Sequence, residues 1–419
     1  MDHEIEQCKI KTTVQNKNVD SDVEYAIKLN RWLLKPFGIW PLNSSSTQFE
    51  RLVSVISQFV CCFLLLFMMI PSIIEMFVSE KNFKARLDIL APTSFSVTVA
   101  IKYIVFMTRG RQLKTCIDTI INDWGNVREK QEREMMIRNA RIARLFAIIC
   151  VSFMYCGGIF YSIFLPLITA KSLTSGNNLT IRILPYRSNY ILFDPYVRPV
   201  FDIVYIAHCF CSFVMCSITT GICSLAAKFV MHACGQCEIV MSLLENLIDD
   251  DKQCSDIVES KLATVILQHL HVIRFKCLLR FATRVEDLLN EVCLVEFLGC
   301  TMNMCLIGYT ILTGLESTDT TKFITYSVLF LSFTFNIFIL CYIGQILTNH
   351  CHQIGEASYM IDWYRIRGIQ ARFLILLIGI ANRPMRLTSG RMIQLSFPCF
   401  CNVIKVAMTY LNVLRKVTA

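Results

Sequence analysis

The sequence predicts an all-α membrane protein: seven transmembrane helices, N-terminus cytoplasmic, C-terminus extracellular, with a helical anchor layer on the cytoplasmic side. Three observations carry that reading. Hydrophobic residues make up 54% of the 419 and charged residues only 17%, with a mean hydropathy of +0.50, whereas a soluble globule needs roughly 25% charged residues to solvate its surface. The apolar residues are gathered into runs long enough for spans of ~20 residues. Lys and Arg are divided unequally between alternate connecting segments. This composition argues against soluble enzymes, secreted disulfide scaffolds and disordered chains.

Residues 1–51 are polar, with no basic-then-apolar leader and no small-residue cleavage site, so this segment is expected to be retained and cytoplasmic. Nearly charge-free runs follow at 52–74, 145–170, 203–227, 297–315 and 323–349. Two further runs are less pure: 87–107 carries Asp88 and Lys102 near its ends, and 392–414 carries Lys405. Spans one to four fall within 52–227, and 228–296 is read as a cytoplasmic loop with a helical extension. Spans five and six occupy 297–349, a cytoplasmic helical segment 350–391, and the last helix 392–419. The apolar stretch 373–380 is flanked by arginines and too short to cross ~30 Å of hydrocarbon, so it is read as a helix buried on the basic side.

Orientation follows from the positive charges. Segments 1–51, 108–144, 228–284 and 349–391 hold 29 of the 41 Lys and Arg residues, and the alternate segments hold 10. The richer set belongs in the cytoplasm. The net charge of +9 is therefore explained by topology, and no nucleic-acid partner is needed. Asn178 begins the sequon Asn178-Leu179-Thr180 in the expected outer loop, while the sequon at Asn43 falls on the inner side and should stay unmodified. None of the 21 cysteines falls in 79–86, 167–198 or 314–322, so no extracellular disulfide framework is expected.

Motifs for chemistry are sparse. His232 with Cys234-Gly235-Gln236-Cys237 has the look of a redox or zinc motif, but no βαβ context surrounds it. A second ligand pair would have to come from His350-Cys351-His352, far along the chain, so a small-residue helix contact is the better reading. No metal or cofactor is expected, and no nucleotide, hydrolase or metalloprotease fingerprint is present, so nothing argues for catalysis. Lys405 is sharper, because a charge near mid-bilayer faces a cavity or a partner subunit unless it lies close enough to a helix end to snorkel. Pro398 in the same run is expected to kink or widen that helix.

With this topology the outer halves of the spans are rich in aromatic, Met and Gly residues. Phe95, Met154, Gly157 and Tyr161 are candidate ligand contacts from the second and third spans. Tyr205, His208 and Ser212 come from the fourth, and Met304, Gly308 and Tyr309 from the fifth. Such a lining suits a small apolar ligand with one or two polar atoms, although helix packing uses the same residue types. Apolar residues at helical spacing from Val265 to Leu289 predict an amphipathic helix that runs on into the fifth span.

A family resemblance then emerges. Cys341-Tyr342-Ile343-Gly344-Gln345, Gly355-Glu356-Ala357-Ser358-Tyr359 and Trp363-Tyr364 resemble the exit of the sixth span in insect odorant receptors. Pro384-Met385, Leu387, Ser389-Gly390, Phe397, Val403, Lys405, Thr409-Tyr410 and Leu414 fall in the order of that family's C-terminal run. Leu184-Pro185-Tyr186 with Phe193-Asp194-Pro195 resembles its second outer loop, and His269-Leu270-His271 through Glu291 and Phe297 to Cys305 its fifth helix. The stretch from Tyr25-Ala26-Ile27 to Trp40-Pro41 is similar to odorant-specific, ligand-tuning subunits of hymenopteran type. The resemblance extends from about residue 23 to the end of the chain.

The resemblance implies an odorant-gated, non-selective cation channel, a heterotetramer with a shared coreceptor, in the plasma membrane of an olfactory neuron's dendrite. Its partners would be a small volatile or lipophilic ligand, lipid and permeating cations. It implies a pocket in the outer half of the bundle, a last helix lining the pore, and anchor residues at Tyr359, Trp363 and Tyr410. Aligned on Thr409-Tyr410, the narrow hydrophobic gate falls at Val413 and the outer mouth at Lys416, where the coreceptor carries an uncharged polar residue. A ring of four lysines would oppose cation flow, so this chain is expected to depend on coreceptor subunits. A gustatory-type channel subunit shares the last-helix architecture and is the alternative. A G-protein-coupled receptor fits less well, because it would reverse the charge bias and place a cysteine in 167–198.

Overall fold

A computed structural model describes residues 19–42, 46–127, 129–170, 182–249, 259–314, 320–360, 379 and 385–418. Asn178, Trp363 and the short helix expected at 373–380 lie outside the described residues, apart from Gly379. The chain order is α1 (Val19–Leu34), α2 (Gln48–Ile74), α3 (Phe83–Thr108), α4 (Gly110–Gly125) and α5 (Lys130–Ile159). Then follow α6 (Val200–Asp249), α7 (Glu259–Gly314), α8 (Thr320–Met360), a hairpin of β1 (Thr388–Ser389) and β2 (Ile393–Gln394), and α9 (Phe397–Thr418). Five-residue π segments extend α2 through Glu75–Ser79 and α5 through Phe160–Phe164. Among the described residues seven helices are long and apolar enough to cross a membrane, the run at 87–107 included.

Two helices far exceed a bilayer. At 1.5 Å per residue, the 50 residues of α6 and 56 of α7 reach roughly 75 and 85 Å, against ~30 Å of hydrocarbon. The surplus lies at the basic end of the bundle, where α1, α4 and the hairpin also pack. The amphipathic pattern 265–289 is part of one helix with the fifth span, because no Gly or Pro interrupts it between Glu259 and Phe297. Elsewhere the outer faces are apolar: Phe59, Phe63 and Ile70 on α2 stand exposed, as side chains meeting lipid do.

The basic end is held by side chains that the sequence spaces at helical intervals. On α1, Asp22, Ala26, Ile27, Asn30, Leu33 and Leu34 form the buried stripe. Asn30 donates to the Ser224 hydroxyl of α6 at 3.0 Å, and Arg133 of α5 grips Asp22 through two bonds of 2.6 and 2.7 Å. Gly221 makes the approach possible, since a Cβ there would lie 2.5 Å from Leu34 Cδ2. Glu238 of α6 accepts from Asn139 at 2.8 Å and pairs with Arg138 at 2.9 Å and His350 at 3.3 Å, tying α5, α6 and α8.

The last helix differs from its sequence-based description. It starts at Phe397 rather than Met392, because residues 388–394 fold back as a hairpin. Pro398 consequently sits in the first turn, where its missing N–H has no intrahelical partner to lose, and it does not kink the helix. Gly390 and Arg391 at the hairpin tip both have positive φ, 61° and 59°, as a type I′ turn demands. The hairpin is docked on α7: Thr388 N–H donates to Glu286 at 2.9 Å, Gly390 N–H to the Asn290 carbonyl at 2.8 Å, and Arg391 to Asp287 at 2.7 Å.

Lys102 and Glu296 also depart from expectation. Rather than marking span ends, Lys102 of α3 is fully buried and ion-paired to Glu296 of α7, with side-chain exposures of 0% and 4%. Lys102 also donates to Thr219 of α6 at 3.2 Å, and Asn336 of α8 donates to Glu296. One polar cluster thus joins four helices inside the bundle, as an intramembrane charge requires.

Candidate ligand cavity and last-helix face

Beyond that cluster, away from the basic end, the same helices part around a cavity of about 60 Å³ open to the centre of a water molecule. A single water needs only ~10–15 Å³ by that measure. Helix α3 contributes Asp88, Ala91, Pro92 and Phe95, and α5 contributes Met154, Gly158 and Tyr161. Ser212 and Cys216 come from α6, Asn303, Ile307 and Thr310 from α7, and Tyr326, Leu329 and Phe333 from α8. Spacings of three and four residues recur on every helix, which places these side chains on one face of each.

Local sequence explains the shape. Pro92 removes a backbone donor within α3, and hydroxyls of Thr93, Ser94 and Ser96 bond backbone carbonyls one turn earlier. Gly157 and Gly158 let α5 press close to its neighbours: a Cβ on the first would lie 2.9 Å from Leu329, and on the second 2.8 Å from the Cys216 sulfur. Phe95 and Phe333 close the side toward the ion pair edge to face, with centroids 5.4 Å apart.

The far side is closed by the loop that precedes α6. Leu184, Tyr186 and Ser188 are buried there, Asn189 N–H donates to the Pro71 carbonyl at 3.1 Å, and Ser188 and Ser72 hydroxyls bond at 3.3 Å. Tyr186 reaches the cavity, its ring 5.5 Å from Tyr161, and burial pushes its phenol well above the ordinary tyrosine range, so it stays neutral.

Of the ten candidate contacts, Phe95, Met154, Tyr161 and Ser212 line the cavity. Gly157 sits one residue off and serves packing instead. Tyr205 reaches the Ile163 carbonyl at 3.4 Å, and His208 stands behind Tyr186, bonded to the Tyr190 hydroxyl at 3.0 Å. Met304 is buried against α8, where its sulfur accepts from Thr334 at 3.5 Å. Gly308 and Tyr309 face the other way, toward Leu411 of α9. The sequence reading missed Asp88, Tyr186, Asn303, Ile307, Thr310, Tyr326 and Phe333. Ile307 three residues from Met304, Asp88 two turns from Phe95, and the aromatic in the quoted loop motif were the available signals.

The residues of the apparent metal motif have other partners in the fold. Cys237 and Cys351 thiols are hydrogen-bonded to each other, so the distant segments do meet, but His232 bonds Asp123 at 2.9 Å and His350 turns to Glu238. Among the described residues no three potential metal ligands form a group.

Helix α9 is seated by one stripe, Cys399, Val403, Ala407 and Leu411, at i, i+4 spacing. Nearly opposite lies an exposed polar stripe of Asn402, Lys405, Thr409, Asn412 and Lys416, flanked by exposed Val413. Tyr359 and Tyr410 are likewise exposed, at 66% and 61%.

Comparison with known proteins adds an independent line. A family model described as 7tm Odorant receptor matches residues 82–408. Odorant receptor 13a of Drosophila melanogaster is 24% identical over 224 residues, covering 48% of this chain and 50% of its own length. Odorant receptor 67c of the same fly is 26% identical over 146 residues, covering 34% of this chain and 35% of its own. The matched stretches thus span half or less of these relatives. The solved olfactory receptor OR5 of Machilis hrabei in complex with eugenol superposes with a TM-score of 0.76 at 14% identity, over 96% of this chain and 100% of that one. OR5 on its own gives 0.71 at 16% identity, over 94% and 100%, so the fold is shared.

Proposed function

Because the chain belongs to the 7tm odorant receptor family, a family of receptors and channels rather than enzymes, we propose that it is a ligand-tuning subunit of an odorant-gated cation channel. The cavity between α3, α5, α6, α7 and α8 is its ligand site, and α9 supplies its quarter of the pore. The subunit works with a coreceptor, with the basic end cytoplasmic and joined to neighbouring subunits.

One observation carries this reading: α7 is a shared wall. Asn303, Ile307 and Thr310 face the cavity, while Gly308 of the same turns meets Leu411 of α9, a Cβ there lying 3.4 Å from Leu411 Cδ2. Tyr309, Cys305 and Leu306 complete a buried cluster with Leu411. A ligand that displaces α7 therefore acts directly on the helix that carries Val413 and Lys416. Gating requires only that ligand bind the open arrangement more tightly; a ~100-fold preference corresponds to ~2.7 kcal/mol.

The test is current recording with coreceptor co-expressed. Ile307→Trp fills the cavity from α7 and should abolish odorant responses while currents evoked by an agonist acting on the coreceptor persist. Unchanged odorant responses would remove the cavity from the mechanism. Loss of both currents with normal surface expression would place Ile307 in gating rather than binding.

A further inference from the structure

Two phenols in the cavity have nothing to do. Tyr161 of α5 and Tyr326 of α8 line it with ring centroids 6.4 Å apart, and among the described residues neither hydroxyl forms a hydrogen bond. Asp88 lies near enough to act on both phenols without a hydrogen bond to either, and the remaining polar groups of the lining have partners. Thr310 donates to the Leu306 carbonyl at 3.1 Å, and Asn303 donates to Gly299 at 2.8 Å while accepting from Ser94 at 3.2 Å. The Tyr186 phenol has the Ser212 hydroxyl beside it. Buried hydroxyls are otherwise almost always paired, since an unmet donor loses its hydration without replacement. Tyr161 and Tyr326 therefore present two donors to whatever fills the space, and the apolar part of the wall is Ala, Pro, Gly, Met, Phe, Leu, Ile and Cys.

A neutral carbonyl oxygen matches that demand. It has two lone pairs and brings no donor of its own, so one atom can accept from both phenols while its alkyl arms lie on the apolar wall. Asp88 sets a second condition. Among the described residues it is the only acidic or basic side chain of the lining, and a ligand carboxylate would sit beside it. Arg187 and Lys322 are near enough to act on Asp88, but neither is among the described lining residues.

On the reading of this cavity as the ligand site, we propose that the receptor is tuned to small neutral molecules with a hydrogen-bond-accepting carbonyl, such as ketones, aldehydes and esters, held by Tyr161 and Tyr326, and that Asp88 excludes carboxylates. Hydrocarbons of the same shape fit the walls but leave both phenols unmet.

The experiment uses the full chain with its coreceptor and three homologous series: methyl ketones from 2-pentanone to 2-nonanone, the 2-methyl-1-alkenes that replace oxygen by CH2, and the carboxylates that replace methyl by oxygen. Each hydrogen bond should favour ketone over the matching alkene by roughly 3- to 10-fold in half-maximal concentration. Tyr161→Phe and Tyr326→Phe should each remove their share of that ratio by weakening the ketone, leaving the alkene unchanged or improved. Asp88→Asn should raise carboxylate sensitivity by about 10-fold. Ile307→Trp runs alongside. If it silences ketones but the double Tyr→Phe variant keeps the parental ketone-to-alkene ratio, the tuning proposal falls and the site stands. If ketones survive Ile307→Trp, the site itself is wrong. A receptor that passes coreceptor-agonist current yet answers no ketone of the series, or answers carboxylates best, also overturns the proposal.

Discussion

Lys102→Met breaks the buried cluster in the most informative way. The substitution keeps the length and apolar stem of the side chain and removes only the charge. Glu296 is then left with Asn336 and, at 3.3 Å, the Cys300 thiol, but with no cation, at 4% side-chain exposure. Removing one member of a buried pair costs about 3–5 kcal/mol, because the other charge stays desolvated and uncompensated. Lys102→Met with Glu296→Gln removes both charges together, and Gln still offers Asn336 a carbonyl acceptor. Its amide can use Thr219, which Lys102 now reaches at 3.2 Å. The double variant should therefore lie within about 1–2 kcal/mol of the parent. Apparent melting temperatures of a fluorescent fusion, read by size exclusion, give the order: parent and double close together, both single variants far below. A single variant as stable as the parent, or a double variant no better than the worse single, would refute the claim that the two charges compensate each other inside the bundle.

Other outcomes follow from the same geometry. Gly344→Ala places a Cβ 2.6 Å from the Leu395 carbonyl oxygen, where α8 meets the chain entering α9, and should destabilise by about 1–3 kcal/mol. Gly110→Ala, with nothing within 4 Å, should stay within about 0.5 kcal/mol in the same melting assay. If Lys416 rings the pore, four unit charges ~10 Å from a permeating cation raise its energy by ~1.5 kcal/mol even in water, roughly tenfold in flux before screening. The chain expressed alone should therefore pass little cation current and Lys416→Gln more; robust currents from the parent alone contradict this.

Much of the fold was legible because lipid imposes strong constraints on sequence. A span must be long and apolar, so the run at 87–107 was found despite Asp88 and Lys102, and the helical period through 265–289 marked α7 well before its membrane portion. The start of α9 was misplaced because Met392, Ile393 and Leu395 are apolar whether they enter a helix or a hairpin; only the paired strands and the positive φ values at Gly390 and Arg391 decide between them. The cavity was partly legible. Phe95, Met154, Tyr161 and Ser212 were reached by depth along the spans, but depth does not say which way a side chain points around the helix axis. Gly308 and Ile307 are chain neighbours, yet one meets α9 and the other the cavity.

The sequence by itself determined the number of spans, their approximate limits and the family, since each rests on local composition or on residues in fixed order. The tertiary structure alone decided that Lys102 and Glu296, 194 positions apart, neutralise each other, that Tyr186 of a loop closes the cavity, and that Tyr161 and Tyr326 share it. The reason is the same in each case: hydropathy is a property of one helix, whereas partnership depends on the rotation and crossing of several, which only the packed bundle fixes.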